Sequence, residues 1–191
     1  LAALDISFNA IKVGTTDKKI YQEKVLSPSE IETLKNSLLP RLALIVHILS
    51  VTGLRVSELI RIKLANCKGD NGTVFIDIIG KGTKQRRVFI PRELFERVRK
   101  EFKGKCYIFE TYNHTPFSRC YIWRELRNAG MKVLGKSISP HTLRHSFCTN
   151  MLLVKNKSLK AVSNYVGHSS TSITADMYIH DQLMPEDVFN L

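Results

Sequence analysis

Ser139-Pro140, set directly before His141-Thr142-Leu143-Arg144-His145-Ser146-Phe147, leaves this part of the chain little conformational choice. Serine caps a helix with its side-chain oxygen, and proline suits the first helical position because its missing N–H would be unpaired there anyway. The pair therefore predicts a helix from Pro140. Three-residue spacing puts His141 and Arg144 on one face near the N-terminus, while Leu143 and Phe147 fall on a different, core-facing side. The helix dipole adds positive partial charge at that end, so the place is prepared for an anion such as phosphate. His141 and His145 also have the i, i+4 spacing that can hold zinc. Thr142, however, stands where metalloproteases of the HExxH type carry Glu, and no carboxylate cluster follows, so no metal or other cofactor is expected.

The remaining punctuation predicts a mainly α fold with a small antiparallel β-hairpin or sheet. Ser27-Pro28-Ser29-Glu30 is a capping box, and its helix runs to about Leu39, stopped by Pro40. A second, apolar helix runs from about Arg41 to Val51 and ends at Gly53. Leu42–Val51 is the longest apolar stretch, contains His47 and Ser50, and is far short of the roughly 20 residues that span a bilayer, so it is a buried helix. Thr52-Gly53-Leu54-Arg55-Val56-Ser57-Glu58-Leu59-Ile60 would then hold Arg55 on a tight turn between packed helices, with Glu58 able to brace the guanidinium. Taken alone, Arg55 is more simply a surface arginine at a helix junction.

Thr73–Ile79 and Gln85–Ile90 are β-branched, apolar-rich runs joined by Gly80-Lys81-Gly82-Thr83-Lys84, the pattern of a hairpin. Its tip is cationic, with Lys81, Lys84, Arg86 and Arg87 as candidate phosphate contacts, although such tips also serve solubility alone. A basic amphipathic helix follows from Arg92 to Lys103, then a short extended piece, Lys105–Phe109. Phe117–Ala129 reads as a helix ended by Gly130, with Trp123 and Leu126 in the core. Arg119, Arg124 and Arg127 form a stripe on it that suits DNA phosphates or plain solvent. Ser158–Val166 is a short helix closed by Gly167; His168 follows, and a last helix of about Ser172–Ile179 presents Tyr178.

Composition narrows the partner. Lys+Arg number 29 against 17 Asp+Glu, a net charge of +12 over 191 residues, which fits a polyanion, nucleic acid before membrane surface, and on composition alone fits a generically basic protein as well. Cys67, Cys106, Cys120 and Cys148 contain no CxxC pair, which suits a reducing cytoplasm and argues against a disulfide framework or zinc ribbon. No signal peptide is visible, and the chain opens on Leu1. The expected organisation is a linker or arm over 1–24, one folded domain over 25–180 and a C-terminal tail over 181–191.

Arg55, Lys81, His141, Arg144, His168 and Tyr178, in that order and each in its local context, resemble the catalytic domain of the tyrosine recombinases, the family of phage-type integrases and Xer-like recombinases. Thr52–Leu59 matches the family's TGLRxSEL element, Lys81 its hairpin lysine, His141–Phe147 its HxLRHSF element, Gly167–Ser170 its GHSS element and Tyr178 its nucleophile. Tyr178 lies ten positions after His168 (178 − 168), one more than in many members and common among integrases of conjugative transposons. Cys148 stands where Ala is frequent, and Lys84 shares the loop of Lys81.

The resemblance implies a covalent 3′-phosphotyrosine, with Arg55, Arg144 and His168 on the phosphate, His141 as base and Lys81 as acid. It also implies double-stranded DNA as substrate, four protomers on two sites formed from a free monomer, accessory DNA-bending or directionality proteins, and a tail that docks on its own or a neighbouring protomer. Two other functions compete. A type IB topoisomerase uses similar chemistry without exchange; a helix-turn-helix regulator would explain the charge but give no role to Arg55, Lys81, His141 or Arg144.

Overall fold

Two proline-started helices open the part of the chain that the computed structural model describes, residues 25–79, 85–155 and 157–167. The first, α1 (Pro28–Asn36), starts at a complete capping box: Ser27 Oγ accepts from the Glu30 N–H, and the Glu30 carboxylate accepts from the Ser27 N–H. It stops short of the expected Leu39 because Ser37 closes the last turn, its hydroxyl donating to the Leu34 carbonyl. The second, α2 (Pro40–Thr52), ends at Gly53 in the left-handed conformation, φ 61°. Leu42, Leu44, Ile45, Val46, Ile48 and Leu49 are all buried, so α2 is apolar around most of its circumference and forms the axis of the domain. Each such side chain contributes roughly 1.5–3 kcal/mol relative to exposure.

A single turn, α3 (Val56–Leu59), follows Arg55, and a 3₁₀ turn (Leu64–Asn66) leads into a three-stranded antiparallel sheet: β1 (Cys67–Asp70), β2 (Thr73–Ile79) and β3 (Gln85–Pro91). The sequence pattern predicts β2 and β3 but not β1. That strand exists because Asn71-Gly72 takes positive φ at both positions, 38° and 81°, the geometry of a tight hairpin turn. Val74, Ile76, Ile78, Val88 and Ile90 form the sheet's buried face. Register pairs Ile76 with Val88 and Ile78 with Arg86, so Arg86 belongs to that inward face as well.

Helix α4 (Arg92–Phe102) buries Leu94, Val98 and Phe102 against α2 and the sheet. The extended piece expected at Lys105–Phe109 is instead a loop gathered around one carboxylate. Glu110, 1% exposed, accepts from the backbone N–H groups of Lys105, Cys106 and Tyr107, donors that a strand would have given to a neighbouring strand. Helix α5 (Arg119–Leu134) runs through Gly130 and ends at Gly135, correcting the expected stop. Gly130 is there for packing: a Cβ would meet Ile138 Cγ1 at 2.4 Å. Leu126 is buried as expected, whereas Trp123 is 45% exposed, because it stands on the outward side of α5.

Helix α6 (Pro140–Thr149) starts at Ser139 and Pro140 as the sequence dictates, and packs Leu143 and Phe147 inward against α2. It passes into one π-helical turn (Asn150–Val154), and α7 (Leu159–Val166) closes on Gly167 at φ 70°. Tyr165 on α7 stacks on Phe147 and meets Phe89 of β3 edge-on, joining α6, α7 and the sheet. Among the described residues, no helix is long and apolar enough to cross a membrane.

Candidate active site

Two helix C-termini meet two arginines at one end of α2. Helices leave their last carbonyls without internal partners, and those carbonyls carry the negative end of the dipole, so a cation is welcome there. Arg144, on the second turn of α6, donates from Nη1 to the Gly53 carbonyl at 2.6 Å and from Nη2 to the Val166 carbonyl at 2.8 Å. It thereby ties the end of α2 to the end of α7. Arg55, two residues beyond Gly53, donates from Nη2 to the Gly167 carbonyl at 3.3 Å. The two guanidiniums therefore rest on adjacent carbonyls, Val166 and Gly167, at the end of one helix.

Their environments differ. Arg144 is 6% exposed, and burial, then the nearby positive Arg55, pull its pKa down to about 10, which leaves it charged at neutral pH. Arg55 keeps a side chain that is 39% exposed. Gly53 must be glycine here: beyond its positive φ, a Cβ would lie 2.4 Å from Phe147 Cδ1.

Glu58 lies beneath Arg55. Its Oε1 accepts from Arg55 Nη1 at 3.1 Å, and its Oε2 accepts from the Arg55 backbone N–H at 2.9 Å, so one side chain both caps α3 and fixes the guanidinium. Arg86 reaches the same carboxylate from β3, Nη1 to Oε1 at 3.0 Å and Nη2 to Oε2 at 2.6 Å. Burial works to raise the pKa of Glu58, but the hydrogen bonds from Arg86 and the Arg55 backbone, with both positive charges, outweigh it and hold the group below the ordinary carboxylate range.

The sequence-predicted residues thus divide. Arg55, Glu58 and Arg144 come together. His141 is exposed on the first turn of α6, one turn ahead of Arg144. Arg86, grouped by sequence with the candidate DNA contacts, is turned inward onto Glu58; strand alternation with Val88 and Ile90 could have shown it. Arg87 faces the other way, paired with Asp77 at 2.7 Å and lying over Phe75. Arg119 is exposed at the start of α5, Arg124 pairs with Glu125, and Arg127 lies over the exposed Trp123 ring. Lys81, Lys84, His168 and Tyr178 lie outside the described residues, as do the arm and the tail. The carbonyls of Gly53, Val166 and Gly167 are not anticipated by the sequence, since only the fold brings these helix ends together.

Such a site can hold a tetrahedral anion. Guanidinium offers planar, paired donors of permanent charge, suited to the non-bridging oxygens of a phosphodiester. No side chain here needs to move to create that charge.

Comparison with known proteins gives the family and the fold. The sequence model of the phage integrase family matches residues 24–183. The tyrosine recombinase XerD of Staphylococcus aureus is 36% identical over 146 residues, covering 71% of this chain and 48% of XerD. The chain thus spans about half the length of the curated relatives it matches. Among solved structures, the XerH site-specific recombinase bound to its difH substrate aligns with a TM-score of 0.74 at 22% identity, over 87% of this chain and 52% of that one. The Tn1549 transposon integrase in complex with transposon right end DNA aligns with a TM-score of 0.65 at 20% identity, over 88% of this chain and 64% of that one. At these identities the structural matches establish the fold.

Proposed function

The chain belongs to the phage integrase family, and from that premise we propose that it is the catalytic part of a site-specific DNA recombinase or integrase, cleaving and rejoining double-stranded DNA through a tyrosine nucleophile. The observation that carries this reading is the pair Arg55 and Arg144, anchored on the ends of α2 and α7, with Gly167 leading directly into His168. Two anchored guanidiniums at this place suit a reaction that builds negative charge on phosphorus oxygens.

In the proposed reaction the Tyr178 phenol gives its proton to His141 and its oxygen attacks phosphorus. The bond from phosphorus to the 5′-oxygen breaks, and that oxygen leaves with a proton from Lys81. Arg55, Arg144 and His168 bind the non-bridging oxygens, most tightly as charge accumulates. The product is a 3′-phosphotyrosine and a free 5′-hydroxyl. Attack by a 5′-hydroxyl from another strand reverses the bond changes and restores the phenol, so rejoining requires no external energy source. The catalytic domain spans 25–180 and follows an arm over 1–24. It works in the cytoplasm as four protomers on two DNA sites, assembled from monomers with accessory DNA-bending or directionality proteins, and the 181–191 tail docks on its own or a neighbouring protomer.

A nicked duplex that loses a short strand on cleavage traps the covalent state. After digestion, peptide mass mapping is expected to find a nucleotide on Tyr178 and none in Tyr178→Phe. A Tyr178→Phe protein that still cleaves would overturn the assignment.

A further inference from the structure

Glu58 has more cation than it needs to serve Arg55 alone. A buried carboxylate with one arginine neighbour draws that arginine into a two-point pair, because the alternative is an uncompensated charge in a poorly solvated place. Here the two-point pair belongs to Arg86, whose Nη1 and Nη2 reach Oε1 and Oε2 at 3.0 and 2.6 Å. Arg55 makes a one-nitrogen contact to Oε1 and spends its other terminal nitrogen on the Gly167 carbonyl. The side chains of Arg86 and Glu58 are 11% and 9% exposed, against 39% for Arg55. The inner two charges cancel, and the outer guanidinium faces solvent.

We propose that Arg86 is a positioning residue of the phosphate clamp: by occupying both oxygens of Glu58, it leaves the charge and outer edge of Arg55 free for the scissile phosphate. This rests on the function proposed above. Counting Arg55, Arg86 and Arg144 against Glu58, the cluster carries +2; without Arg86 it carries +1, and Glu58 is free to close on Arg55. Arg86 also packs beneath the residue that receives Arg55. A Cβ on Gly167 would stand 2.9 Å from Arg86 Nη1 and 3.1 Å from its Cδ and Cζ, so this close approach adds to the φ of 70° in favouring glycine there. The strand that carries the cationic loop is thereby joined to the turn that precedes His168. A surface arginine contacting DNA would need neither burial nor a fork.

The test compares two trapping duplexes for the intact protein, one with the natural scissile phosphate and one with a methylphosphonate there, in which a methyl group replaces a non-bridging oxygen and removes the charge. For each variant, the single-turnover cleavage rate is divided by the wild-type rate on the same duplex. Arg86→Met is expected to lose about 10²-fold on the phosphate, the scale of a displaced reactive geometry, and to recover most of that loss on the neutral methylphosphonate. Arg55→Ala is the reference for this pattern. Arg86→Lys keeps a cation for Glu58, and with it the fold, but lacks the fork; a smaller loss with the same recovery is expected. Arg86→Met at the wild-type rate, or an equal loss on both duplexes, would overturn the proposal. So would a fully active Arg86→Lys beside an unfolded Arg86→Met, which would make Arg86 structural only. A wild-type protein that cuts neither duplex would instead remove the functional reading beneath it.

Discussion

Arginines at the end of α2 and arginines along α5 carry the same charge in opposite ways. Arg144 spans two helix ends from a buried position, and Arg55 is held by a buried carboxylate and a carbonyl. Arg119, Arg124 and Arg127 are exposed, and Arg124 and Arg127 engage neighbours on their own helix, Glu125 and Trp123. Surface pairs of that kind contribute little, about 0–1 kcal/mol, and yield readily to a better partner. Fixed charge suits a transition state, where reorganisation would slow the reaction; loosely held charge suits a DNA backbone, where the protein must first find and settle on its site. The difference between the regions is one of anchoring, and it predicts that chemistry and affinity can be separated by mutation.

The largest effect is expected from Arg144→Ala. It deletes the tie between α2 and α7 and, in the proposed reaction, a transition-state donor, so cleavage should fall by at least about 10²–10³-fold. If melting shows the fold lost in parallel, the role of Arg144 is structural and the comparison fails. Gly53→Ala comes next. The left-handed φ and the Phe147 ring together should cost roughly 2–4 kcal/mol, visible as a lower midpoint in denaturant. An unchanged midpoint would show that the α2–α6 junction is more pliant than its packing implies. Replacing Arg119, Arg124 and Arg127 by Ala should weaken DNA binding and flatten its salt dependence, by about 0.9 in the log–log slope for each phosphate that is no longer neutralised.

The smallest effect concerns Glu110, in the loop that precedes α5. Hydrogen bonds from the Lys105, Tyr107 and Cys106 amides, against the opposing effect of burial, bring its pKa to about 2. A carboxylate depressed on folding adds stability that is complete above its ordinary range and is lost as pH falls toward the folded value. Melting temperature should therefore decline from roughly pH 5 to pH 2, and less steeply in Glu110→Gln. Identical slopes would remove Glu110 as the acid-sensitive point of that loop.

Much of the clamp is legible in the sequence because its parts are local. Ser139-Pro140 and Thr52–Leu59 fix turns and caps within a few residues, and Glu58 stands three positions from the arginine it braces. Arg86 is harder. Whether a strand residue faces inward depends on its register with β2, so the sequence groups it with Arg87, which points the opposite way. Gly130 reads as a helix end since glycine serves both as terminator and as a place of close approach, and only Ile138 decides between them. Strand β1 escapes because Cys67-Lys68-Gly69-Asp70 has no β-branched residue; its signal is the Asn71-Gly72 turn alone.

The division between fixed and loosely held charge is tested most directly by measuring DNA affinity and single-turnover cleavage of the bound duplex in the same two proteins. For Arg55→Ala, affinity should stay close to wild type while cleavage of the bound DNA falls by about 10²-fold or more. For the combined Arg119→Ala, Arg124→Ala and Arg127→Ala protein, affinity should fall and the DNA that remains bound should be cut at close to the wild-type rate. The reverse pattern, with Arg55→Ala failing to bind and the triple variant failing to cut what it binds, would contradict the account.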